Sequence, residues 1–324
     1  MMIVGIKEAV QILRQGGLVA FPTETVYGLG ADASNPTALL KIFKAKGRPV
    51  DHPLIVHVAD LSQLSVWVRD VSEDAKKLMQ AFWPGPLTLV FKKAPQVNDL
   101  ITGGQDTIGL RIPHHPFALE LLKAYGGGLA APSANRFGRI SPTTAAAVIE
   151  ELGDNIEGVI DGGPCEVGLE STIVDVSGEH PVLLRPGMIT VKQLERVLGK
   201  SILSSKKDSP RVSGSLASHY SPMTPTRLIS ADKLSEFLKT SDKKPIALLG
   251  SNLCYMPGQT ELTCSVDLTP IPMPNDAIQY AHDLYQTLRD VDKQGFKEIV
   301  IVSVPEGIEW DAIRDRLQRA AMSS

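Results

Sequence analysis

Hydrophobic and polar positions along the chain recur in two rhythms, a helical one and a shorter extended one. In residues 6 to 15, Ile6, Ala9, Val10, Ile12 and Leu13 return at helical spacing ahead of the Gly16-Gly17 stop. The run 18–21 is continuously apolar and reads as a buried strand ended by Pro22. Asn35-Pro36 supplies an N-cap and a first-turn proline, which predicts a helix to about Lys46 burying Leu39, Leu40, Ile42 and Phe43. Further strands are expected at 54–58, 87–91, 108–112 and 129–131, near Val159, and at 172–176 and 182–184. Helices are expected at 72–82 and 143–152, and Thr190 with Gln193 makes a capping box that opens another.

Strands and helices mix here without strict alternation, which predicts an α/β fold built on a twisted, mixed sheet. From residue 201 to about 225 the composition turns to Ser, Lys, Pro and Gly, the signature of a linker. Beyond it, strands at 226–229, 246–249 and 299–302 alternate with helices at 231–240, 276–293 and 309–321. That alternation predicts a small Rossmann-like α/β domain, although no G-x-G-x-x-G supports nucleotide binding there. The expected organisation is a first domain over 1–200, a linker over 201–225 and a second domain over 226–324.

Composition narrows the function. With 324 residues, two domains are the natural prior, and a net charge of -3 gives no bulk electrostatic footprint for nucleic acid. Cys165, Cys254 and Cys264 have no Cys-x-x-Cys spacing, so neither a disulfide framework nor a structural zinc site is expected. The N-terminal stretch carries Lys7, Glu8 and Arg14, unlike a signal peptide, and no run is long enough to span a bilayer. The chain reads as cytoplasmic.

Candidate chemistry gathers near the ends of the first domain's strands. Pro22 to Gly30 packs two threonines, a glutamate and a tyrosine between a proline and two glycines, which would let the backbone turn or approach a ligand closely. Lys46 and Arg48 form a basic turn able to meet a polyphosphate, or equally a solvated helix end. Arg111 stands on an apolar strand, and a buried arginine needs an anionic partner, whether a protein carboxylate or a ligand's. His57 ends its strand and His52 precedes Pro53, without metal-ligand spacing. Ser133 and Asn135 lie on a small-residue turn, Glu170-Ser171-Thr172 leads into a strand, and Arg185 closes another. Arginines, hydroxyls and histidines near strand ends of one domain favour a pocket for an anionic ligand.

A set of motifs in fixed order carries a resemblance. It comprises Pro22-Thr23-Glu24-Thr25-Val26-Tyr27-Gly28-Leu29, Lys46-Gly47-Arg48-Pro49, Pro53-Leu54-Ile55-Val56-His57 and Thr107-Ile108-Gly109-Leu110-Arg111-Ile112-Pro113. It continues with Ala131-Pro132-Ser133-Ala134-Asn135, Leu169-Glu170-Ser171-Thr172-Ile173 and Leu184-Arg185-Pro186-Gly187. Together they resemble the YrdC-type domain, and His219-Tyr220 in the linker resembles the two-domain threonylcarbamoyl-AMP synthases. The resemblance covers essentially the whole chain. It implies a nucleotidyltransferase that makes threonylcarbamoyl-adenylate and pyrophosphate from L-threonine, bicarbonate and ATP. A partner transferase would then modify tRNA.

By matched position, Thr25, His57, Arg111, Ala131 (through its backbone) and Ser171 would hold threonine, with Arg111 on its carboxylate. Lys46, Arg48, His52, Thr107, Ser133, Ser141, Arg185 and Tyr220 would line the ATP side, with Lys46 and Arg48 as the catalytic cations. Mg2+ would arrive with ATP on phosphate oxygens and water, because no carboxylate cage stands out. Val212-Ser213-Gly214-Ser215 departs from the Pro-Gly of many relatives, which puts the stiffness of the linker in question. Leu216, His219 and Tyr220 point to a lid over the pocket, with Tyr220 reaching the nucleotide, against the alternative of a passive tether. Two other functions compete with the synthase: an RNA-binding module, which the acidic balance disfavours, and a carbamoyltransferase of hydrogenase maturation. The latter would need acylphosphatase-like and cysteine-rich segments that the sequence does not display.

Overall fold

The computed structural model describes residues 2–214, 220–251, 253 and 268–322. Leu216 and His219 of the proposed lid lie outside these residues, as do Cys254 and Cys264. The chain divides into two compact units, Met1–Phe137 with Ser141–Ser215, and Gly138–Ile140 with Leu216–Ser324.

The first unit is built on strands β1 (Met2–Ile3), β2 (Val19–Phe21), β3 (Gly28–Asp32), β4 (Ile55–His57), β5 (Leu87–Lys92) and β6 (Thr107–Arg111). It adds β7 (Leu129–Ala130), β8 (Gly158–Val159), β9 (Thr172–Asp175), β10 (Val182–Arg185) and β11 (Leu203–Ser204). They form one mixed sheet in the order β1-β8-β2-β3-β7-β4-β6-β5-β9-β10-β11. Helices α1 (Ile6–Arg14), α2 (Pro36–Lys46), α3 (Glu73–Phe82), α4 (Asp99–Thr102), α5 (Pro116–Tyr125), α6 (Ala145–Leu152) and α7 (Val191–Leu198) accompany it. The caps read from sequence are present: Asn35 accepts from the amides of Thr37 and Ala38, and Thr190 and Gln193 form their reciprocal box. Because strand side chains alternate, Val56, Leu89 and Leu110 join the main core while Ile55, Val90 and Gly109 face the opposite side.

Several elements differ from the expectation, the short β1, α4 and β11 among them. Gly28 and Gly30 do not make a turn; they sit inside β3, antiparallel to β2. A Cβ at Gly30 would lie 2.9 Å from the Phe21 ring, so the glycine permits close packing within the sheet. Helix α5 was absent from the sequence reading. Its signals are Pro116 at the start and the left-handed Gly126 at the end.

The second unit holds a parallel sheet of β12 (Thr226–Ile229), β13 (Ile246–Gly250), β14 (Leu268–Pro272) and β15 (Glu298–Val302), ordered β12-β15-β13-β14. Helices α8 (Ala231–Thr240), α9 (Ala277–Asp292) and α10 (Asp311–Ala321) complete the Rossmann-like pattern. Strand β14 escaped the reading because its sequence, LTPIP, carries two prolines, which only a sheet edge tolerates. This unit also takes in Gly138–Ile140. Asp292 accepts from the amides of Met223 and Thr224 and pairs with Arg139, and Arg289 donates to the Ile140 carbonyl at 2.5 Å. Among the described residues no helix is long and apolar enough to cross a membrane.

Candidate active site

Parallel pairing of β4 and β6 sets His57 beside Arg111 at the ends of neighbouring strands. Alternation puts Ile55, Thr88, Val90, Thr107, Gly109 and Ile173 on one face, where they line a shallow groove. Gly109, lacking a side chain, deepens the middle of that face.

At the Arg111 end the polar groups are buried and interlocked. Arg111 donates from Nη1 to Thr25 Oγ1 at 2.9 Å and from Nε to the Gly85 carbonyl at 3.2 Å. Its Nη2 lies 2.7 Å from Glu24 Oε1. The anionic partner that the strand arginine requires is therefore supplied by the protein, one residue before Thr25. Thr25 is itself placed by Thr23, whose hydroxyl shares a 2.9 Å hydrogen bond with it and donates to the Val26 carbonyl. His57 is buried, with Phe21 edge-on at 6.1 Å. Burial first, and the Arg111 charge second, hold its pKa down to about 3, so its imidazole is neutral at physiological pH. Ala131 donates its amide to the Ile55 carbonyl at 2.9 Å.

Ser171 links the two ends. Its hydroxyl shares a 2.8 Å hydrogen bond with Thr88, and its carbonyl accepts from both Nε and Nη2 of Arg185. Gly187, two residues beyond Arg185, makes this approach feasible, since a Cβ there would fall 2.4 Å from the Thr172 amide. At the far end, Arg48 Nη2 donates to the Pro53 carbonyl and to Ser213 Oγ, and Arg185 Nη1 donates to the Ser213 carbonyl. Residues 211–213 thus run along the groove. Val212 packs with Val90 and Ile173, and Arg211 exchanges two hydrogen bonds with Gln105. Thr107 lines the same stretch. His52 meets the Phe137 ring edge-on at 5.2 Å, with the Arg48 guanidinium 5.9 Å from that ring.

Lys46 is buried beneath the 133–135 turn, its Nζ 2.6 Å from the carbonyls of both Ser133 and Asn135. Burial first and the nearby Arg48 second draw its pKa well down, with the charge of Glu151 acting the other way. Ser141 donates to Glu170 at 2.5 Å. Thus Lys46, Arg48, His52, Thr107, Ser133, Ser141 and Arg185 all belong to the first unit. Tyr220 belongs to the second, buried against Tyr285 with the Arg316 guanidinium over its ring. Its backbone is left-handed at φ 63°, rare for a side chain of that size. Glu24, Thr88, Gly85, Glu170 and Ser213 were not assigned roles from sequence. Glu24 carried a signal, as the one charged residue between two threonines at a strand exit.

The Sua5–YciO–YrdC family model, described as Telomere recombination, matches residues 11–187, and a model described as Threonylcarbamoyl-AMP synthase, C-terminal domain, matches 189–322. The chain belongs to this family, in its two-domain form. It is 37% identical to a threonylcarbamoyl-AMP synthase of Pyrococcus abyssi, over 98% of this chain and 94% of that protein. It is 38% identical to the Bacillus subtilis protein of the same name, over 98% and 92%. A crystal structure of P. abyssi Sua5 complexed with L-threonine superposes with a TM-score of 0.89 at 36% identity, covering 99% of this chain and 98% of that one.

Proposed function

We propose that this chain synthesises threonylcarbamoyl-adenylate from L-threonine, bicarbonate and ATP, releasing pyrophosphate, to supply tRNA threonylcarbamoyladenosine modification. The observation that carries the reading is two clusters of buried polar groups in the first unit: Arg111 with Thr25 and the neighbouring His57, and Arg48 with Arg185, which converge on Ser213. Threonine sits at the first cluster with its carboxylate toward Arg111. The polyphosphate lies toward Arg48 and Arg185, and Lys46 supports that side through the 133–135 turn.

After its ammonium gives up a proton, the amine nitrogen of threonine bonds to the bicarbonate carbon while a C–O bond of bicarbonate breaks and water leaves, giving a carbamate. A carbamate oxygen then bonds to the α-phosphorus while the bond to pyrophosphate breaks. The chain has no nucleophile of its own in this scheme. Its contribution is alignment of two substrates along one sheet face and placement of positive charge where phosphate charge departs. Because a carbamate loses CO2 readily in water, keeping water from the reacting groups is part of the same task. Among the described residues no three His, Cys, Asp or Glu side chains converge on a metal-sized site, and Glu170 is engaged by Ser141. Mg2+ would arrive with ATP, held by phosphate oxygens and water. A tRNA threonylcarbamoyl transferase receives the product.

The experiment is pyrophosphate release from ATP with threonine and bicarbonate supplied or withheld. Release is expected only with both; equal turnover without threonine overturns the assignment.

A further inference from the structure

Glu24 and Arg111 form a charge pair with side chains only 3% and 5% exposed. Around them a buried carboxylate has few other sources of compensation. Cys165 is pushed up to about 12 by burial and His115 is drawn down by burial, so both neighbours are neutral at physiological pH. The pair is close but poorly aligned: Glu24 Oε1 and Oε2 and Arg111 Nη2 are buried without a completed hydrogen bond. His57 Nδ1, on the strand beside Arg111, is in the same condition. Buried polar atoms left unmet in one place point to a ligand that meets them.

The required ligand must offer an acceptor to the guanidinium and a donor to the carboxylate within a very short span. An α-amino acid zwitterion does so, its amine nitrogen and carboxyl carbon being roughly 2.5 Å apart. We propose that Glu24 reads the α-ammonium of the amino-acid substrate, beside the carboxylate held by Arg111, so that this end of the groove selects a zwitterion over a simple acid. This rests on the reading that Arg111 holds threonine. It also orders the charges of the reaction. Zwitterionic threonine, with no net charge, matches the neutral Glu24–Arg111 pair, whereas the carbamate carries two negative charges and is drawn toward Arg48 and Arg185.

The test is calorimetric binding of L-threonine and of 3-hydroxybutyrate, which lacks the amine, to the full chain and to Glu24→Gln and Glu24→Asp. The wild-type chain is expected to prefer threonine by tenfold or more. In Glu24→Gln threonine affinity is expected to fall about ten- to a hundredfold, the usual range for a lost charged hydrogen bond, with 3-hydroxybutyrate unaffected. Glu24→Asp keeps part of the preference, and KM for ATP stays unchanged in both variants. Parallel loss of both ligands in Glu24→Gln would reduce Glu24 to a brace for Arg111 and overturn the proposal. Equal binding of both by the wild-type chain overturns it without any variant. Failure of the underlying reading appears separately, as pyrophosphate release indifferent to threonine.

Discussion

The ammonium of Lys46 lies 2.6 Å from the carbonyl oxygen of Asn135 and equally close to that of Ser133, so the basic turn holds the polar turn from beneath. An ammonium has three N–H donors, and two are taken by backbone. A lysine read from sequence as a phosphate ligand is, by position, first a brace for the nucleotide-side loop.

Removing that brace is expected to cost stability. Lys46→Met keeps the apolar stem and deletes the donors, leaving two carbonyls unpaired at about 1–3 kcal/mol each. A lower urea midpoint together with a raised KM for ATP is expected. Wild-type stability with only the KM raised would make Lys46 a phosphate ligand and not a brace.

A second prediction follows from the neutral His57. Its folded pKa of about 3 lies below the ordinary 6.5, so between these values the unfolded chain carries a proton that the native chain refuses. Stability therefore rises with pH through this window and is lost as pH falls below 6.5. From pH 7 to pH 5 this single group is expected to remove about 2 kcal/mol. His52 and His115, also drawn down, add in the same direction. Urea unfolding at both pH values, wild type against His57→Gln, isolates the His57 share; identical pH slopes would show that its imidazole is not held neutral.

Which parts were legible in the sequence follows from how local each signal is. Asn35-Pro36 and the Thr190–Gln193 box carry their whole mechanism in a few residues, and both caps form as read. Strand β3 was hidden because a glycine is read locally as a turn, whereas Gly30 answers to the Phe21 ring across the sheet. At the site, Arg111 announced a need for an anion, and only the folded chain brings Glu24 to it from 87 positions upstream. Ser213 was invisible for a similar reason. Its role depends on Arg48 and Arg185, far apart in sequence, converging on one short polar residue in a stretch whose composition reads as linker.

That convergence yields the last prediction. Arg48 donates to Ser213 Oγ at 3.1 Å and Arg185 to its carbonyl at 2.8 Å, and Ser213 Oγ in turn donates to the Pro53 carbonyl. The two arginines proposed to meet the polyphosphate are thus the ones that tie the 211–213 strap to the sheet face. Polyphosphate and Ser213 then compete for the same donors, and ATP is expected to loosen residues 211–213. Trypsin reads this directly. Lys206 and Lys207 are exposed and are expected to be cut quickly under all conditions, whereas Arg211 is held through Gln105 and is expected to be cut slowly in the free chain. ATP is expected to speed cleavage after Arg211 several-fold, and threonine alone to leave it unchanged. Ser213→Gly, which deletes the competing hydroxyl, is expected to tighten ATP binding by a few-fold. Weaker ATP binding in that variant, with cleavage after Arg211 unmoved by ATP, would make Ser213 part of the nucleotide site and the strap a fixed wall of the groove.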